Sequence, residues 1–197
     1  MVFLKNLLLL ITISIVFSSC KEKSAPTNDQ AATPTITKSQ KRGIAFDLVS
    51  TEDFAAISKG VSWWYNWGLS CNSKVPAKYY ETYGMDFIPM LWGGNTSFND
   101  MTIVKSFILA HHEVQYLLVM NEPNLTDQAN RTPVQTANDW LKYEQVVSNL
   151  AAQGRVVYLV GPAMSLGTMT NYSDPVVWLD AFLLSVQICK RRKRTEN

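Results

Sequence analysis

The sequence is poor in the residues that bind metals and cross-link chains. It has three cysteines and two histidines in 197 residues. The adjacent pair His111-His112 cannot face one way on a helix or a strand, and no third ligand stands at metal-site spacing, so no metal and no cofactor is expected. Cys71 and Cys189 could pair in an oxidising compartment, but nothing in their spacing demands it. No Gly-rich phosphate loop follows the first predicted strand, which argues against a dinucleotide-binding sheet. Long apolar runs are also missing. The stretch from Leu7 to Phe17 is shorter than the ~18 apolar residues that span a bilayer.

That stretch has another reading. Lys5 precedes it and Ser18-Ser19-Cys20 follows, the layout of a secretory signal. A cysteine directly after small residues resembles a bacterial lipoprotein cleavage site. Residues 1–20 are then a lipoprotein-type signal peptide and Cys20 is the lipidated first residue. The expectation is an exported protein, anchored to the membrane at the bacterial cell surface or in the periplasm. Phe17 stands where Leu is usual, and an ordinary secretory signal with Cys20 incidental is the alternative. Residues 21–40, rich in Ser, Thr, Ala, Pro, Asn and Gln, read as a flexible tether. The folded domain is expected over 41–183.

The net charge of +2 conceals an uneven distribution. Five of the 18 basic residues are consecutive, Lys190 to Arg194, so the rest of the chain is slightly acidic. A basic run without interleaved aromatics points away from nucleic acid.

What the sequence has in abundance is alternation of short apolar runs with helical patterns. Arg42 to Asp47, Val61 to Asn66, Asp86 to Trp92, Tyr116 to Met120 and Val156 to Val160 read as strands. Pro89 is awkward inside the third. Helices are expected after Ser50 or Thr51, from Pro76 to near Gly84, over Met101 to Ala110, after Thr132 and after Asp174. The fourth carries the clearest start, with Thr132 as cap, Pro133 in the first turn and Gln135 completing a capping box, and Gly154 ends it. Strand and helix alternating at this spacing mean a parallel sheet. An open doubly wound sheet and an eight-fold barrel both satisfy that pattern. Asp47, Asn66, Trp67, Trp92, Asn121 and Glu122 fall at successive strand ends, where they would ring one mouth, which favours the (β/α)8 TIM barrel with about its first five units present.

Such a mouth has sugar chemistry. Cleaving a glycosidic bond takes two carboxyl groups, one protonating the leaving oxygen and one attacking the sugar or activating water. A general acid is helped by partial burial beside aromatic walls. Tyr116 to Met120 ends abruptly in Asn121-Glu122-Pro123, so Glu122 stands where a buried strand meets a loop and is the candidate catalytic proton donor. Asn121 could bind the sugar 2-hydroxyl. Sugar rings also pack on flat aromatic faces; Trp67, Trp92 and Trp64, with Asn66, are the candidate substrate contacts. Asn-Glu-Pro alone is a weak signal, and a carboxylate capping a loop is its bland alternative.

These blocks resemble glycoside hydrolase family 128. Arg42-Gly43-Ile44-Ala45, Ser62-Trp63-Trp64-Tyr65-Asn66-Trp67, Phe87-Ile88-Pro89-Met90-Leu91-Trp92-Gly93, Met120-Asn121-Glu122-Pro123-Asn124, Val160-Gly161-Pro162-Ala163 and Trp178-Leu179-Asp180-Ala181-Phe182 occur in the family's order. The family includes fungal alkali-sensitive-linkage cell-wall proteins and bacterial β-1,3-glucanases. The resemblance implies a retaining endo-acting barrel enzyme on β-glucan, with Glu122 as general acid/base. It also implies a second glutamate at the end of a seventh strand. Only five strands are readable, no glutamate lies between Glu144 and Glu196, and a full barrel takes about 250 residues. The chain is therefore expected to be truncated, with residues 184–197 a basic tail, frameshifted or else a helix end with a solvated basic face. As written it is expected to be poorly stable, prone to associate and without the covalent step. A non-catalytic glucan-binding lipoprotein and a barrel glycosidase of other specificity are the competing readings.

Overall fold

The computed structural model describes residues 37–94 and 101–195. The expected signal peptide with Cys20, most of the expected tether, and Glu196 lie outside them. Six short strands alternate with five helices: β1 Gly43–Ala45, α1 Thr51–Ile57, β2 Trp63–Tyr65, α2 Tyr79–Thr82, β3 Asp86–Phe87, β4 Met90–Leu91, α3 Met101–Ala110, β5 Tyr116–Val119, α4 Pro133–Ala151, β6 Tyr158–Val160 and α5 Pro175–Thr195. All strand pairs are parallel, in the orders β1-β2-β3 and β4-β5-β6.

The predicted third strand is divided at Pro89, for a reason of hydrogen bonding. Proline has no N–H to give the ladder. Ile88 N–H donates to Trp64 O (2.9 Å) and Met90 N–H to Gly68 O (2.8 Å), while Pro89 O accepts from Leu118 N–H (2.9 Å). The stretch thus faces β2 through Ile88, the turn after β2 through Met90 and β5 through Pro89, and it joins the two three-stranded arrays. The fold is α/β with parallel sheets. Among the described residues no closed barrel is seen, so the barrel expectation is met only in this coarser form.

Local chemistry explains the helix starts. Ser50 caps α1, with its hydroxyl taking Asp53 N–H and the Asp53 carboxylate taking Ser50 N–H. Thr132 and Gln135 make the same reciprocal box on α4, with Pro133 in the first turn. Both satisfy N–H groups that a helix start leaves orphaned. The helix expected from Pro76 is a single turn that begins only at Tyr79, after Lys78 in the left-handed region (φ 56°). The fifth helix runs further than the apolar pattern suggested and takes in the whole basic run. Lys190 Nζ meets Glu144 Oε1 on α4 at 2.6 Å.

Among the described residues three apolar clusters pack around these sheets. One packs Leu117, Val119 and Met120 against Val104 and Ile108 of α3 and Tyr143, Val146 and Leu150 of α4. A second gathers Leu48, Phe54, Trp64, Tyr79, Met85 and Phe87. The third joins Ala137 of α4 to Trp178, Phe182 and Val186 of α5. Trp64 corrects an expectation. Its side chain is wholly buried, edge-on to Phe54 and Tyr79 at ring-centroid distances of 5.0 and 4.8 Å. It belongs to the helix-facing layer and cannot touch substrate. Successive strand side chains point to opposite faces, so Trp63 and Tyr65 take the other face. There the Trp63 ring lies over Gly43, its register partner, where a Cβ would come within 2.2 Å of the indole. Cys71 and Cys189 are both free thiols.

Candidate active site

The carboxyl ends of β2, β4, β5 and β6 enclose a cleft of about 600 Å³ lined by Tyr65, Trp67, Trp92, Asn121, Glu122, Gln128, Ala163 and Met164. Four of these were singled out in the sequence: Trp67, Trp92, Asn121 and Glu122. They come together because parallel pairing continues one step past the regular strands. Asn121 N–H donates to Trp92 O (2.8 Å), Glu122 N–H to Ala163 O (2.8 Å) and Ala163 N–H to Met120 O (3.1 Å).

The backbone at this exit is unusual. Met120 (φ 66°), Glu122 (φ 44°) and Trp67 (φ 60°) all occupy the left-handed region, which costs a non-glycine residue roughly 1–2 kcal/mol. Such residues persist only where the surroundings over-determine them, and they concentrate at functional sites. The kink turns Glu122 out of the strand line and into the cleft.

Asn121 is buried and donates from Nδ2 to Gln128 Oε1 (3.0 Å). That bond sets which way its amide faces and leaves Oδ1 and the second N–H for a ligand. Tyr65 and Trp67 meet edge to face at 5.4 Å and form an aromatic corner. Trp67 is 44% exposed, a large flat surface open to solvent.

Asn66 behaves differently from expectation. It does not line the cleft. Its Nδ2 donates to Asp47 Oδ1 (3.0 Å) and Ser70 O (3.1 Å), and its Oδ1 accepts from Gly68 N–H (3.1 Å). Asp47 Oδ2 in turn accepts from Asn72 Nδ2 (3.0 Å). Both residues brace the turn that presents Trp67.

Sequence reasoning passed over Tyr65, Gln128, Met164 and Asn124. Asn124 is fully buried and touches no cleft space, yet it builds one wall. Its Nδ2 donates to Ser165 O (2.7 Å), and its own carbonyl accepts from Thr168 and Met169 N–H (3.0 Å each). Gly167 lies so close that a Cβ would sit 2.4 Å from Asn124 Nδ2. The loop carrying Ala163 and Met164 is thereby stapled to the loop carrying Glu122. Alternation puts Tyr65 on one face with Trp63, but which face of the strand meets the cleft is set by its pairing with β1 and β3. Gln128 and Asn124 act through loop-to-loop contacts that leave no periodic signal.

A carboxylate among aromatic surfaces, at the carboxyl ends of parallel strands, is the site plan of carbohydrate-active α/β proteins. The chain belongs to the family described as the glycosyl hydrolase catalytic core, whose model matches residues 43–193. Among solved structures it resembles the GH128 subgroup II endo-β-1,3-glucanase of Pseudomonas viridiflava, with 47% identity and a TM-score of 0.70 over 79% of this chain and 57% of that one. It resembles the corresponding Sorangium cellulosum enzyme at 32% identity and a TM-score of 0.58, over 74% of this chain and 55% of that one. Alkali-sensitive linkage protein 1 of Schizosaccharomyces pombe is 28% identical over 156 residues, which are 77% of this chain and 25% of that protein. The chain therefore spans little more than half of the solved relatives and a quarter of the curated one.

Proposed function

We propose that this chain supplies the acid/base carboxyl and the aromatic wall of a retaining site that cleaves β-1,3-glucan. The observation that carries the reading is Glu122, turned by a strained strand exit into a cleft walled by Tyr65, Trp67 and Trp92. In this mechanism Glu122 protonates the glycosidic oxygen as the bond breaks and then takes a proton from the water that releases the sugar. Asn121, its amide oriented by Gln128, hydrogen-bonds the 2-hydroxyl, a contact that strengthens as positive charge develops on the ring. Trp67 and Trp92 stack on the apolar faces of neighbouring glucose units. The similarity to β-1,3-glucanases supports the choice of glucan, and the parallel sheet with its site at the strand exits suits the (β/α)8 barrel.

The retaining reaction needs a second carboxylate as nucleophile. Among the described residues lining the cleft, Glu122 is the one carboxylate. That observation favours a second reading, a glucan-binding protein without turnover, and one experiment separates the two. Reducing-sugar release from laminarin should fall by about a hundredfold or more in Glu122→Gln, while laminari-oligosaccharides still quench tryptophan fluorescence. Quenching with no sugar released by the wild-type chain would establish the binding reading. Equal turnover in both forms would remove Glu122 from the mechanism.

A further inference from the structure

The far half of α5 has a composition that neither its packing nor the cleft requires. One face, through Trp178, Phe182 and Val186, is buried against α4. The opposite face exposes Leu183 (55%), Leu184 (58%) and Ile188 (40%). Arg191, Arg192, Lys193 and Arg194 follow, all exposed, and no acidic residue occurs between Leu183 and Thr195. Leu184, Ile188 and Arg191 lie at i, i+4 and i+7, on one stripe of the helix. Leu183 and Arg194 flank that stripe. Lys190 is engaged with Glu144, and Lys193, seven residues after the buried Val186, lies toward Leu141 and Gln145 of α4, so the cations left to the outward side are Arg191, Arg192 and Arg194. Outward-facing aliphatics beside unneutralised cations form an amphipathic basic surface on a helix held rigidly from behind.

We propose that this face of α5 binds the surface of an anionic lipid bilayer. The charges meet acidic headgroups, and Leu183, Leu184 and Ile188 enter the headgroup–acyl boundary, the arrangement of helices that lie in a membrane interface. The aliphatic stripe decides the partner. A polyanion such as nucleic acid satisfies the arginines but offers nothing apolar to Leu184 and Ile188, whereas a bilayer satisfies both. No described helix is long and apolar enough to cross a membrane, so the contact is with the surface only. Docked this way, the helix would hold the domain against the membrane independently of any attachment through the amino-terminal segment.

The test is vesicle flotation with the full chain carrying Cys20→Ser, so that no acyl chain contributes. Vesicles of phosphatidylcholine alone are compared with vesicles containing phosphatidylglycerol, and any contribution of the apolar leader appears in both. The expected result is stronger partitioning onto the anionic vesicles that weakens as salt rises. Replacing Arg191, Arg192 and Arg194 together by Gln should reduce that extra partitioning by about a hundredfold. Leu184→Ser with Ile188→Ser should reduce it by about tenfold. All five side chains are exposed, so the circular dichroism of each variant should match the parent. Equal partitioning onto the two vesicle types would overturn the proposal. Unchanged binding of the Leu184/Ile188 variant, or equal affinity for a short RNA at the same salt, would show a plain polyanion surface and overturn it as well.

Discussion

Asn124 shows how a residue outside the cleft can govern it. Its amide is fully buried and bonded across 41 residues to Ser165, so truncation strands polar groups of the facing loop. Asn124→Ala is predicted to cost about 1–3 kcal/mol in urea unfolding and to weaken oligosaccharide binding by releasing the wall that holds Met164. An unchanged midpoint would show that the staple does not bear on stability. Glu113 makes a different residue-scale case. Burial pushes its carboxyl up, but its own backbone N–H and bonds from His111 and Tyr79, both at 3.0 Å to Oε1, together outweigh burial and hold it below the usual range. A carboxyl depressed in the folded state adds stability that is present above its unfolded value and lost as pH falls through its folded value. Glu113→Gln is therefore predicted to lower Tm at neutral pH, with the gap to wild type closing as pH is taken down through the carboxyl range. A gap that widened toward acid would refute that sign.

At the scale of elements, α4 is the support of the site. It packs behind β5 through Tyr143, Val146 and Leu150 and carries α5 on its other side through Ala137. Its start depends on the Thr132–Gln135 box. Thr132→Ala is predicted to cost about 1 kcal/mol, read as a lower denaturant midpoint with an unchanged slope. This helix was legible from the sequence alone, with Thr132, Pro133, Gln135 and Gly154 marking both ends, because capping is a contact between residues three positions apart. The third strand was less so. Pro89 signalled trouble, but that its carbonyl would serve β5 while Ile88 served β2 and Met90 the turn after β2 depends on which segments flank it. The basic run was harder still. Nothing within Lys190 to Arg194 says that Glu144 lies opposite, so whether it frays or continues the helix was settled by packing on α4.

At the scale of the whole molecule, the sheet edges matter. β1 and β6 each have one edge with no partner strand among the described residues. Phe46, Tyr158 and Val160 are exposed beside them. Unpaired edges with apolar side chains template pairing between chains. Purified protein is predicted to run above its monomer mass in light scattering at micromolar concentration, and Tyr158→Lys to shift it toward monomer. A monodisperse wild-type peak would show that these edges are covered in solution.

The amino-acid sequence by itself determined the local elements: the capped helices, the apolar strand ending at Asn121-Glu122, and the parallel α/β class that follows from their alternation. These rest on contacts within a few residues or on repeating periods. Tertiary structure alone decided which aromatic side chains meet the cleft. Val61 to Asn66 carries a tryptophan on each face, Trp63 beside Val61 and Tyr65 and Trp64 between Ser62 and Asn66, so the more apolar face of the pattern is not the one that enters the core. Pairing with β1 and β3 set that phase, sending Trp64 into the core and Tyr65 to the cleft. The same holds for the loop wall at Asn124 and for the orientation of Asn121 by Gln128, since hydrogen bonds between loops depend on where the strands beneath bring those loops together.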